Sequence, residues 1–234
     1  MSAHSRLSSP ALLVALLDFI CTQAPAAVAQ SRVDLEPYAG LFIATTSLTS
    51  SGVLKQESSL SLGTRLITWL PGRVGLQWTV NYAASGVTPT GADSSCACGS
   101  FPFPGPSSAH VIAASTQVIA RVSPAAATTT FHVGGGIGLV GHGGAAYTVD
   151  TYERNRTTAV SGILTAGAAF RLGPSLALRV DAEDYLFPTD FHCRYTYGTR
   201  GVCWAVNQAG TPSSSTLQND LVLSLGLAVR VGGQ

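Results

Sequence analysis

Arg179, Asp181 and Glu183 stand at alternate positions in the stretch Leu178-Arg179-Val180-Asp181-Ala182-Glu183-Asp184-Tyr185. Two-residue spacing puts one base and two acids on a single face of a β-strand. Such a ladder can carry protons or ions, or it can be structural, because charges withdrawn from water must be paired. Glu36, Arg65, Gln77, Arg121, His132 and Arg230 hold the corresponding parity in their own segments, as do Asn81, Gln117 and Asp220. These residues are therefore expected to face one common interior, where Arg65, Arg121 or Arg230 completes the ladder from across the space. We expect a structural ion-pair network there.

Other patterns point to chemistry less well. Gly136-Ile137-Gly138-Leu139-Val140-Gly141 has the GxGxxG spacing of dinucleotide loops, but His142-Gly143-Gly144 follows where a helix should open. Glycines at 134, 136 and 138 read better as small residues on a strand wall, leaving room for large side chains across the interior. His132, His142 and His192 are the candidates for a Ser-His-acid arrangement, yet no strand carries His-x-Ser. Cys96, Cys98, Cys193 and Cys203 form an even set in a chain expected to be exported, so disulfides are expected, with all three pairings open. Cys96-Ala97-Cys98 is too tight for a zinc knuckle, even with His192 nearby. No catalytic, cofactor-binding or metal-binding residue is assigned, and no cofactor is implied.

The elements that position these residues follow from patterning. Of 234 residues only 11% are charged, 25 are glycine, and Lys55 is the one lysine. A soluble domain usually carries about twice that charge. The first 29 residues read as a cleaved signal peptide, with Arg6, an apolar run from Ala11 to Leu17, and Ala27-Val28-Ala29 as the cleavage motif. Beyond it no apolar run is long enough for a membrane helix. Residues 30–234 instead show eight segments of two-residue apolar period, at 33–45, 58–68, 74–82, 110–122, 129–140, 158–171, 175–186 and 216–231. Short turns at Pro71-Gly72, Ser123-Pro124 and Gly173-Pro174 alternate with long loops at about 47–57, 84–109, 141–157 and 187–215.

One register of each segment is apolar and uncharged, for example Leu221, Leu223, Leu225, Leu227 and Val229 in the last. The opposite register is expected to be small, polar and of mixed charge. The predicted fold is therefore all-β: an eight-stranded antiparallel up-and-down transmembrane barrel with a greasy exterior and a polar lumen.

Glu36-Pro37-Tyr38-Ala39-Gly40-Leu41-Phe42, the stretch from Leu178 to Tyr185, and the closing Leu223-Ser224-Leu225-Gly226-Leu227-Ala228-Val229-Arg230-Val231 together resemble the small eight-stranded outer-membrane barrels of the OmpA/OmpX and opacity-protein type. The resemblance spans residues 32–234. It implies a Gram-negative-type outer membrane, contact with its lipid, and a terminal strand recognised by the barrel-assembly machinery. The expected function is a monomeric envelope barrel with a plugged lumen, a structural or adhesive role, no catalysis and no nucleic-acid partner. An extracellular ligand would meet loop aromatics such as Phe101, Phe103, Phe191, Tyr195 and Tyr197. A narrow channel, a lipid-modifying enzyme and a secreted soluble ligand-binding barrel are the alternatives.

Overall fold

The computed structural model describes residues 32–47, 54–89, 107–124, 127–144, 158–189 and 216–231. The expected leader, the four cysteines, His192 and the loop aromatics lie outside the described residues. Among the described residues nine strands form: β1 Arg32–Ala44, β2 Leu54–Gln56, β3 Ser59–Trp69, β4 Val74–Pro89, β5 Ser107–Arg121, β6 Thr129–Gly143, β7 Thr158–Arg171, β8 Leu176–Thr189 and β9 Thr216–Arg230. β2 and β3 are two pieces of one stave, since both pair with β4. The break falls at Glu57 and Ser58, where Ser85 Oγ donates to the Glu57 carbonyl at 2.6 Å. Eight staves result, each antiparallel to its neighbours, and the β1–β9 pairing closes the ring.

The registers fix the geometry. The paired row from Asp34 runs through Ile67, Gln77, Gln117, Gly136, Ile163, Tyr185 and Asp220 and returns to β1 at Ala44, ten residues beyond its start. Eight staves about 4.8 Å apart with that stagger tilt by about 40° and enclose a wall of radius about 8 Å. Such a ring has room for side chains and little else.

The outward register is apolar on every long strand, with Leu60, Ile137 and Val160 exposed by 79, 71 and 66%. On β4 this face runs from Val74 to Tyr82, a rise of about 20 Å along the axis at this tilt, against an apolar band of about 25 Å on membrane barrels. Its upper rim is polar. Asn219 Nδ2 donates to Asp184 Oδ2 at 3.0 Å, Thr45 Oγ1 donates to Asn219 Oδ1 at 2.8 Å, and Tyr82 stacks on His110. Its lower rim is the short turns, where Gly72 takes φ of 109°, a conformation a side chain would disfavour.

Three expectations need correction. β4 runs on to Pro89, β6 to Gly143 and β8 to Thr189, and β2 forms within 47–57, so the four loops are shorter than the periodicity suggested. Above the rim the outward face carries Ala84, Gly86 and Thr88, so apolar alternation fades although pairing continues. The glycines of β6 are also placed by the wall itself: a Cβ on Gly136 would lie 2.0 Å from the Thr116 carbonyl oxygen of adjacent β5, and one on Gly138 would lie 2.4 Å from that of Ala114. Their lack of a Cβ lets the β5 backbone and the Ile119 and Ile163 side chains close in on this wall. Lastly, the interior is not uniformly polar. Phe42, Ile163, Tyr185, Phe187 and Val222 form a buried apolar cluster toward the long-loop end.

Candidate functional site

Below that apolar tier lies an ionic one, with two arginines at its centre. Arg65, from β3, is fully buried. Its Nη1 donates to Glu36 Oε1 at 2.8 Å and lies 3.4 Å from Asp181 Oδ2, its Nε donates to Glu183 Oε1 at 3.2 Å, and its Nη2 donates to Ser224 Oγ at 2.7 Å. The guanidinium also sits 3.9 Å from the centroid of the Tyr38 ring. Every nitrogen of the guanidinium is thus engaged, as burial of an arginine demands.

Arg179, from β8, works one level lower. Its Nη2 donates to Gln77 Oε1 at 2.8 Å and Asp181 Oδ1 at 2.9 Å, and its Nη1 is 3.4 Å from Glu36 Oε2. Nε lies 2.8 Å from Asp181 Oδ2 without an aligned hydrogen bond, so that contact is coulombic. His132 Nε2 lies 2.5 Å from Asp181 Oδ1 and 2.7 Å from Arg179 Nη2. One nitrogen cannot donate to the first and accept from the second at once, so its tautomer selects which bond is made.

Glu183 collects the remaining donors. Gln77 Nε2, Gln117 Nε2 and Thr79 Oγ1 reach its Oε1 at 3.0, 3.2 and 3.4 Å, and the Tyr185 hydroxyl donates to its Oε2 at 3.1 Å. Two arginines therefore face three carboxylates, with His132 beside the pair. Glycine makes the close approach possible: a Cβ on Gly167 would lie 2.3 Å from Asp181 Oδ1, and one on Gly226 would lie 2.3 Å from Glu36 Oε1. Their neighbours on the wall thereby leave space for the acids.

Of the residues singled out by parity, Glu36, Arg65, Gln77, Gln117, His132, Arg179, Asp181 and Glu183 meet in this tier. Arg121 and Arg230 lie instead at the short-turn mouth, among the residues lining a cavity there. Tyr38, Thr79, Tyr185 and Ser224 join the tier and were not singled out, although their parity would have found them. His142 packs against Phe187 at 5.6 Å between ring centroids, and His110 stacks on the outside. Among the described residues no three of His, Cys, Asp and Glu gather as a metal site. The arrangement is suited to holding the wall together across the lumen, each acid being committed to several donors.

No family model matches the sequence, and no curated protein sequence does. Several solved structures are similar in fold. The N-terminal β-barrel domain of Pseudomonas aeruginosa OprF is 10% identical, with 86% of this chain and 98% of that one covered and a TM-score of 0.47. Neisserial surface protein A, NspA, is 10% identical over 86% and 97%, with a TM-score of 0.45. Ail, the attachment invasion locus protein of Yersinia pestis, is 8% identical over 86% and 97%, with a TM-score of 0.42 in a complex with the heparin analogue sucrose octasulfate.

Proposed function

We propose that the chain is a monomeric integral barrel of a Gram-negative-type outer membrane, non-catalytic, with a lumen that passes no ions and loops that serve a structural or adhesive role. The observation that carries this reading is the outer wall. Its long strands expose apolar side chains all the way round, and Asp184 at the upper rim is the one acid of the described long strands in outward parity. An arginine or lysine placed mid-wall on such a barrel costs about 2–4 kcal/mol in lipid, whereas water imposes no such penalty. Support for a closed lumen comes from the two stacked tiers: Arg65, Glu36 and Glu183 show no exposure at all, and Phe42, Phe187 and Val222 above them show 1%.

Fractionation of cells expressing the full chain, with gel migration compared before and after heating, tests the location. Recovery with the outer membrane and a heat-dependent shift are expected; recovery as free protein in the periplasm or medium would make it a soluble barrel. Planar bilayers test the lumen, where no steady single-channel current is expected. A steady current would replace the closed barrel with a narrow channel. Lipid A composition on overexpression is expected to stay unchanged, and a new acylation state would assign an enzyme instead.

A further inference from the structure

The short-turn mouth of the barrel is built unlike the tiers above it. Five arginines, Arg32, Arg121, Arg171, Arg179 and Arg230, line one cavity there with a single carboxylate, Asp34. Arg179 is committed upward to Asp181 and Gln77. Asp34 is already engaged as well: its Oδ1 accepts from Arg32 Nε at 2.8 Å and its Oδ2 from the Trp69 indole N–H at 2.9 Å. Arg121 is held in place by stacking, its guanidinium 3.5 Å from the centroid of the Trp69 ring. That contact fixes the fork of the side chain and leaves its edge N–H groups to point elsewhere.

Two further observations concern Arg230 and Arg121. The Nε of Arg230 is buried and has no hydrogen-bond partner. Arg32, Arg171 and Arg230 all lie within electrostatic reach of Arg121, as does Asp34 with the opposite sign. Converging like charges around a cavity raises the free energy of the empty protein, and an anion seated among them removes that cost while taking charge-assisted hydrogen bonds. The central tier meets the same need with its own carboxylates, whereas Asp34, the one carboxylate lining the mouth cavity, is already engaged by Arg32 and Trp69.

We propose that the short-turn mouth is an anion site of phosphate class, with the anion held between the guanidinium of Arg121 and that of Arg230. Planar, forked donors match the oxygens of a phosphate, phosphonate or phosphate ester. The site goes beyond the envelope role proposed above and does not depend on it, since the cavity belongs to the barrel in micelles or membrane alike. Two sources share this chemistry: a soluble phosphate compound, and the headgroup of a phospholipid in the adjoining leaflet.

The test uses the full chain refolded in an uncharged detergent, titrated calorimetrically with inorganic phosphate at ionic strength held constant by chloride. Saturable binding is expected, weakened about tenfold or more in Arg121→Gln/Arg230→Gln, a change of about 1.4 kcal/mol in binding. Arg73→Gln, in an exposed turn outside the cavity, is expected to bind as the parent does. If the double variant fails to show the folded gel band, the single variants carry the test, each expected to weaken binding about threefold. Loss of phosphate binding on transfer to phosphatidylglycerol vesicles assigns the site to a headgroup, and its retention assigns a soluble ligand. Absence of saturable binding up to about 10 mM phosphate, or equal binding by parent and variants, overturns the proposal.

Discussion

Two tiers of one lumen, built on one wall and the same parity, hold the barrel by opposite means. The tier near the long-loop end is Phe42, Ile163, Phe187 and Val222, packed by shape. The middle tier is Arg65 and Arg179 against Glu36, Asp181 and Glu183, packed by charge. Shape is forgiving in small steps, since each lost methylene costs roughly in proportion to the cavity it leaves. Charge is not, because removing one partner leaves the others buried and uncompensated. The comparison teaches that an inward position on a narrow barrel is defined by what lies across from it and not by polarity as such. Tyr185 belongs to both tiers, its ring in the apolar cluster and its hydroxyl on Glu183.

The largest effect that could break this contrast is Arg65→Met, which keeps much of the volume and leaves three carboxylates facing one arginine. Urea unfolding in lipid vesicles, followed by tryptophan fluorescence, is expected to show a loss of about 3–5 kcal/mol. Adding Glu183→Gln should recover part of that loss through coupling between the two sites, and strict additivity would show that charge balance is not what the tier supplies.

Phe187→Ala is expected to cost about 3 kcal/mol. Phe187→Leu should cost less than about 1.5 kcal/mol, and that graded response is the mark of a tier held by shape; an all-or-none loss in the heat-shift assay would remove the distinction. Gly167→Ala drives a Cβ against Asp181 and the Val180 carbonyl, and a loss of about 1–3 kcal/mol in guanidinium unfolding is expected. A neutral outcome would mean that Asp181 can move. Tyr185→Phe removes only the hydroxyl shared with Glu183, and a drop of about 1 kcal/mol in the same unfolding measurement would locate the boundary between the tiers.

Much of this architecture could be read from residue order. The outward stripe of β9 from Leu221 to Val229, the parity of Arg179, Asp181 and Glu183, and the alternation of short turns with long loops each follow from local rules. The apolar tier was less visible because Phe42, Ile163, Phe187 and Val222 share their inward registers with polar and charged residues, and only cross-lumen proximity makes them a cluster. The division between the ionic tier and the arginine mouth was hidden for a related reason. Arg65 and Arg121 share a parity, but a ten-residue stagger around the ring sets their heights, and that stagger depends on every register at once. Strand ends above the rim were hidden because pairing there continues without an outward apolar pattern to mark it.

The seam between β1 and β9 carries one more consequence, for the order of events in folding. Tyr38 pairs with Gly226 and Leu41 with Leu223, so the contact that closes the barrel joins positions about 190 residues apart, while every other seam joins strands adjacent or nearly so along the chain. Ordering so long a loop costs on the order of 5 kcal/mol in chain entropy beyond a constant. Until β9 docks, β1 presents a bare edge ready to pair with any strand that meets it. Docking of β9 is therefore the step that removes the β1 edge and turns an open sheet into a closed ring.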